Sequence, residues 1–332
     1  MGCCEYIKRK AYKLGILLGL AFPLVLTGCG DDTVEDQEKD GYIAVICKSS
    51  QHEFWRTMEK GAMDAGEELN LKVTFEAPED ESHLDDQIAL IEKAIDNKAD
   101  AIVLAPLDTD KLNDVVEKAV DNGIPVITLD SDITSGKRLA TIGTNNVTAG
   151  AIAARYEAQL IDDKGQVAII GHVEGAQTAI ERMKGFVDEI NVNHTDVEIV
   201  EETYTGGDVG VAYDETKRIL SKYPSLKGLY ATNEGSAVGA ARAVEEMGLS
   251  DKIIMIGFDS SDDEISYLEK GVIDGMMVQN PYNMGYLGVR NIYKAINGNS
   301  IEKTIDTGAI YVNRDNLKDE DIQWYLYPLG KN

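Results

Sequence analysis

The chain has 332 residues, more than one compact core usually organises, so two domains are expected. Hydrophobic residues make up 43% and charged residues 27%, which excludes bulk disorder, a collagen-like repeat and a multi-span membrane protein. Lys and Arg total 32 against 58 Asp and Glu, a formal charge of −26, and so acidic a surface repels phosphate backbones and argues against a nucleic-acid partner.

The amino terminus reads as an export signal. Lys8, Arg9, Lys10 and Lys13 precede an apolar stretch, Leu14 to Leu26, that is shorter than a membrane span. It ends in Leu26-Thr27-Gly28-Cys29, and small residues before a cysteine resemble a bacterial lipobox. On that reading residues 1–28 are a lipoprotein signal peptide and Cys29 carries lipid. The protein is then anchored to the outer face of the bacterial cell membrane. Myristoylation at Gly2 is not expected, because Tyr6 stands where that motif needs Ser or Thr. Residues 29–40 are acidic, lack an apolar period and read as a tether. Cys3 and Cys4 leave with the signal, so Cys47 stands alone in an apolar run. It reads as a small buried hydrophobe, with no disulfide.

From residue 42 strands and helices alternate. Residues 42–47 form a short apolar run, hence a buried strand. Phe54, Met58, Ala62, Ala65 and Leu69 then recur at helical spacing. A strand at 71–75, a helix marked by Leu84, Ile88, Ile91 and Ile95, and a strand at 101–104 follow. Next come a helix over 108–122, ending at Gly123, and a strand at 125–129. Beyond residue 145 the spacing predicts strands near 166–170, 197–203, 226–230, 253–257 and 273–278. Helices are expected near 145–161, 176–190, 208–222, 234–247 and 281–297. Such alternation implies parallel sheets covered on both faces. Residues 100–131 and 226–260 share one pattern: strand, helix, a Gly-apolar pair, strand, Asp-Ser. That echo suggests two lobes built alike, with ligand between them.

In open α/β sheets ligands bind beyond the carboxyl ends of the strands. Lys48, His52, Phe54 and Trp55 follow the first strand there, and Asp130 follows the fourth. Arg182 lies on the helix after 166–170, and Tyr204 follows the next strand. Asn233, Asp259 and Gln279 follow the last three. Asp, Asn, Gln and Arg carry planar forks that engage two adjacent hydroxyls, while Phe and Trp offer flat apolar faces to sugar C–H groups. Each has a plainer reading. Phe54 and Trp55 fit core packing, Asp130, Asn233 and Asp259 fit helix caps, Arg182 fits a surface pair with Glu181 or Glu189, and Gln279 fits a turn. Their common position at one end of the strands favours the site.

Several segments resemble the type I periplasmic binding proteins of the ribose and galactose class, over nearly all of 42–312. They are Ser49 to Trp55, Pro125 to Asp130, Glu181 to Phe186, Ala231 to Glu234, Gly257 to Asp259 and Val278 to Pro281. The resemblance implies two Rossmann-like α/β lobes with parallel sheets, joined by a three-strand hinge and closing on a sugar that is delivered to an ABC permease. It implies an N-terminal lobe of 41–143 plus 281–307 and a C-terminal lobe of 144–280 plus 308–332, with Asn145 and Gln279 near the hinge. Phe54 and Trp55 would stack on the ring, and Asp130, Arg182, Asn233, Asp259 and Gln279 would bond its hydroxyls. His52 replaces the Asn, and Ser131 the Arg, that ribose binders tend to have. Lys48 with Asp130-Ser131-Asp132 is instead similar to autoinducer-2 binders of the same class.

Rival functions lack their signatures. Gly171-His172-Val173-Glu174-Gly175 follows a strand but lacks G-x-G-x-x-G spacing, and no G-x-S-x-G elbow or H-E-x-x-H pair occurs. The run Asp259 to Glu264 lacks the glycine and the distal glutamate of a calcium loop and reads as an acidic helix start. A sugar-responsive repressor would need an N-terminal helix-turn-helix where the export signal stands. The expectation is a monomeric, non-enzymatic binding protein without cofactor or metal, taking a pentose, hexose or polyol. The alternative is an autoinducer-2 binder or a ligand sensor for a membrane receptor or kinase.

Overall fold

A computed structural model of the chain describes residues 41–327. The expected signal peptide, Cys29, the whole of the tether and residues 328–332 of the expected C-terminal lobe lie outside the described residues. In chain order the first half contains β1 (Tyr42–Ile46), α1 (Glu53–Glu68), β2 (Lys72–Glu76), α2 (Leu84–Asp96), β3 (Ala101–Leu104), α3 (Asn113–Asp121), β4 (Val126–Leu129), β5 (Ala140–Gly143) and α4 (Asn146–Leu160). Then come β6 (Gly165–Gly171), α5 (Gln177–Asn193), β7 (Val197–Tyr204), α6 (Val209–Lys222), β8 (Leu226–Ala231), α7 (Glu234–Glu246), β9 (Ile254–Phe258) and α8 (Asp262–Lys270). The chain closes with β10 (Gly275–Gln279), α9 (Pro281–Ile296), β11 (Thr304–Asp306), β12 (Ala309–Asn313) and α10 (Glu320–Leu326).

The strands form two six-stranded sheets, ordered β11-β5-β4-β3-β1-β2 and β12-β10-β9-β8-β6-β7. Adding five to each label turns the first order into the second, apart from the outermost strand. Neighbours run parallel, save β12 against β10. The echo in the sequence is thus β3–α3–β4 of one lobe and β8–α7–β9 of the other.

The central strands read as unbroken apolar runs because helices cover both faces. Ile43, Val45 and Cys47 pack with α1 and α9 on one face of the first sheet, Ala44 and Ile46 with α2 and α3 on the other. In the second lobe Val167 and Ile169 pack with α4 and α5, Ala168 and Ile170 with α6, α7 and α8. Cys47 is a free, buried thiol with its Sγ 3.6 Å from Met58 Sδ. Glycines bring paired helices together in each lobe. A Cβ on Gly61 would lie 2.0 Å from Tyr282 O on α9, and one on Gly150 would lie 2.1 Å from Arg182 O on α5.

Several elements differ from expectation. The helix expected over 108–122 begins only at Asn113, because Asp108 Oδ1 accepts from the amides of Asp110 and Lys111 at 2.9 Å and holds a turn. Strands β5, β11 and β12 and helix α10 were not foreseen; β5 has four residues and β11 three. The acidic run after β9 opens α8, where Ser261 Oγ accepts from Glu264 N at 3.2 Å. The chain passes between the sheets after β5, after β10 and between β11 and β12. There Thr144 Oγ1 donates to Gly308 O at 3.2 Å, and Asp306 Oδ1 accepts from Asn145 N at 3.2 Å.

Candidate ligand-binding site

The carboxyl ends of both sheets face a cavity of about 300 Å3, including its opening to solvent. Lys48, His52, Phe54, Trp55 and Asp130 line it from the first lobe. Arg182, Asn233, Asp259 and Gln279 line it from the second. Of the residues expected within the described chain, only Tyr204 is missing from the wall. It ends the edge strand β7 and is half-exposed, and the turn at 205–207 beyond it approaches the cavity instead.

The backbone aims the two aspartates. Asp130 (φ 58°) and Asp259 (φ 84°) both hold the left-handed conformation, which is costly for a residue with a Cβ and is found where surroundings enforce it. Both are enforced alike: Asp130 N donates to Ile142 O of β5 at 2.9 Å, and Asp259 N to Met277 O of β10 at 2.8 Å. Neither aspartate caps a helix through its own following turn. Asp130 Oδ2 accepts from Lys48 Nζ at 2.7 Å, and Lys48 Nζ also lies 2.5 Å from Ser131 Oγ. Asp259 Oδ1 accepts from Gln279 Nε2 at 2.6 Å, and its Oδ2 from Glu234 N at 3.1 Å.

Arg182 is buried and makes no surface pair. Its Nε donates to Asn146 Oδ1 at 2.8 Å, its Nη1 to Thr232 O at 2.7 Å, and its guanidinium lies 3.7 Å over the Phe258 ring. Glu189 pairs with Arg155 instead. Asn233 does cap α7, its Oδ1 accepting from Ser236 N at 3.0 Å, yet the residue also lines the cavity. Phe54 and Trp55 likewise do both: they join the core under α1 and form a T-shaped pair, centroids 4.8 Å apart, on the wall.

Residues 43–300 match the family model for the periplasmic binding protein domain. The chain belongs to the periplasmic binding protein family. It is similar to the ribose import binding protein of Haemophilus influenzae, 26% identical over 299 residues, 90% of this chain and 96% of the relative. The D-allose-binding periplasmic protein of Escherichia coli is 28% identical over 258 residues, 74% of this chain and 82% of that one. Among solved structures, an ABC transporter solute-binding protein of Agrobacterium vitis with bound D-fucose matches with a TM-score of 0.84 and 35% identity, covering 86% of this chain and all of that one (100%). A carbohydrate transporter solute-binding protein of Agrobacterium radiobacter in complex with D-arabinose matches with a TM-score of 0.84 and 31% identity, over 86% of this chain and 98% of that one. The periplasmic binding protein type I fold and an extracytoplasmic location follow from the family. Its members bind and transport substrates and are not enzymes. Among the described residues no helix is long and apolar enough to cross a membrane, and no group of three or more His, Cys, Asp or Glu is placed to hold a metal ion.

In this binding protein the two lobes meet across the cleft. Glu234, at the start of α7, accepts from Glu53 N and Phe54 N at 3.1 Å each. Those amides open α1, whose own N-cap residue, His52, makes no side-chain cap. The first turn of α1 is therefore capped by the opposite lobe. In return Glu53 Oε2 accepts from Asp262 N, at the start of α8, at 3.3 Å. Lys48 Nζ reaches Thr178 Oγ1 at 3.5 Å, and Asp132 N donates to Gln177 Oε1.

Burial and neighbouring charges together set the protonation of His52, His172 and Asp259. Burial pulls the His52 pKa down, but Glu234, 3.7 Å away, with Glu81 and Asp259, pulls it further up, to about 9. His172 is pushed well below its usual value by burial, then by Arg182 and Lys48, so it is neutral. It bridges Thr232 Oγ1 and Thr178 Oγ1, both at 2.8 Å. Burial raises Asp259 to about 6, against the pull of Arg182 and Gln279. Glu81, His172, Thr178 and Glu234 line the cavity although the sequence reading does not include them. Glu234 stands beside Asn233 after a strand, and that position was the available signal. Glu81 sits in a polar loop with no such mark.

Proposed function

We propose that this protein captures a monosaccharide, a pentose, hexose or polyol, between its lobes and delivers it to an ABC import permease. The observation that carries this reading is the convergence from both lobes of planar polar forks (Asp130, Arg182, Asn233, Asp259, Gln279) and two aromatic rings (Phe54, Trp55) on one cavity. Polyhydroxylated rings need both kinds of contact. The reading gains support from relatives named for ribose and allose and from similar structures holding fucose and arabinose. The autoinducer-2 alternative gains none from these relatives.

We take 41–143 plus 281–307 and 144–280 plus 308–332 as the bodies that move, a division supported by the sheet memberships. Ligand contacting both bodies shifts the population toward the closed form. The chain acts as a monomer tethered by lipid on Cys29. Membrane fractionation tests the anchor: Cys29→Ala should move the protein to the soluble fraction, and retention in the membrane would refute it. Fluorescence tests the site. The chain has two tryptophans, Trp55 in the wall and the exposed Trp324. In a Trp324→Phe background a bound sugar should change Trp55 emission saturably; emission unchanged at saturating sugar would contradict the proposed stacking.

A further inference from the structure

Glu81 belongs to the loop between β2 and α2 and is buried against the cavity. Its Oε1 accepts from Trp55 Nε1 at 3.2 Å. Its Oε2 is buried and has no hydrogen-bond partner among the described residues. Across the cleft lies Gly207, where a Cβ would stand 3.5 Å from Oε2. None of the wall's cations hydrogen-bonds Glu81, although the charge of Glu81 helps to raise the pKa of His52. Lys48 bonds Asp130 and Ser131, Arg182 bonds Asn146 and the Thr232 carbonyl, and His52 faces Glu234. A carboxylate oxygen held away from water without a donor is costly, and a ligand that brings a donor removes that cost.

Neither the loop nor Trp55 needs this second oxygen. Ser49 Oγ and Ser50 Oγ donate to Glu79 O at 3.2 and 3.4 Å, and Ser50 N donates to Pro78 O at 3.1 Å, so the loop is held without Glu81. One oxygen suffices for the indole. We propose that Glu81 is a specificity-determining ligand contact whose Oε2 accepts a hydrogen bond from a hydroxyl of the bound sugar, while Oε1 orients Trp55 against the ring. This rests on the sugar-binding reading above. It makes one side chain select both for a ring that stacks and for a hydroxyl that donates beside it.

Glu81→Gln separates the two roles. The amide oxygen still accepts from Trp55, while the amide nitrogen turns the acceptor aimed at the ligand into a donor. Binding is measured by calorimetry, first for wild type against a monosaccharide panel, then for Glu81→Gln with the best sugar and its monodeoxy analogues. Failure of every sugar to bind folded wild type would remove the sugar reading itself. With a sugar in hand, Glu81→Gln should bind it about 10- to 100-fold more weakly. One monodeoxy analogue should lose affinity for wild type by a similar factor, and that loss should vanish in Glu81→Gln. Equal binding of the parent sugar by both proteins would overturn the proposal and leave Glu81 as a prop for Trp55. If Glu81→Gln does not fold, the analogues decide on wild type: tolerance of every single deoxygenation overturns the proposal.

Discussion

Replacing Glu234 with alanine removes both hydrogen bonds through which the second lobe caps α1. The acceptor and the two donors belong to different lobes and lie about 180 residues apart, so they meet only when the cleft is closed. In an open form water can serve the amides of Glu53 and Phe54. The loss therefore falls on closure rather than on the folding of either lobe. A helix cap is worth about 1 kcal/mol, and a bond to a charged acceptor about 1.5–3 kcal/mol. Because both bonds share one carboxylate, about 2 kcal/mol is a fair sum, or roughly 30-fold in Kd. Most of it should appear in the off-rate, since the closed complex opens more readily. Calorimetry gives Kd and stopped-flow fluorescence gives the rates. The ligand-free melting transition should shift by under about 1 kcal/mol, the value of an acidic residue in a first helical turn. A Kd within threefold of wild type would refute the reasoning. Glu234 also lines the cavity, so Glu53→Ala serves as the control. Glu53 is absent from that wall and makes the reciprocal contact to α8, so its loss should weaken binding a few-fold. The latch also carries a pH signature. His52 sits beside Glu234 with its pKa raised from 6.5 to about 9. A raised histidine stabilises the state that raises it below its ordinary pKa and ceases to do so as the pH passes the higher one. Sugar affinity should therefore fall as pH climbs from about 6.5 through about 9, and His52→Gln should flatten that slope.

Three other outcomes follow from the packing. Arg182→Ala leaves the Asn146 side chain and the Thr232 carbonyl without their donor and removes a fork from the cleft; calorimetry should show a loss of about 2–4 kcal/mol in binding. Gly150→Ala would drive a Cβ into Arg182 O, so chemical denaturation should show about 1–3 kcal/mol of destabilisation, with weaker sugar binding as Arg182 is displaced. Glu157 is fully buried on α4 with both carboxyl oxygens unpartnered, and burial raises its pKa well above 4.5. Its raised value means that wild type loses stability as pH rises above about 4.5, so Glu157→Leu should be the more stable protein by about 1–3 kcal/mol, and by more at pH 8 than at pH 5. A melting curve that shows Glu157→Leu less stable at pH 8 would contradict this.

The legible parts of the chain were those where one physical pattern runs over several residues. The apolar runs of β1, β3 and β4 announce strands buried on both faces. The residues that end or follow such strands are fixed in space by the strands, so Asp130, Asn233, Asp259 and Gln279 were found by position. Strands β5 and β11 were not, because three or four residues at the hinge side of the sheet set up no period. Glu53 and Glu234 each look like an ordinary acid in a first helical turn, and only the folded chain shows that each caps a helix of the other lobe. Glu81 lies in the acidic, turn-rich stretch Pro78 to His83, where charge usually means solvent, and the sequence holds no sign that Trp55 turns it inward.

The central claim is that a monosaccharide is held between the two lobes. It is tested most directly by titrating a soluble form beginning at residue 30 with pentoses, hexoses and polyols in a calorimeter. The account predicts one-to-one binding of at least one of them, and a weakening of that same sugar by single substitutions in both lobes, Asp130→Ala in the first and Arg182→Ala in the second. Binding that survives either substitution at wild-type strength, or a folded protein that takes up no monosaccharide at all, would contradict it.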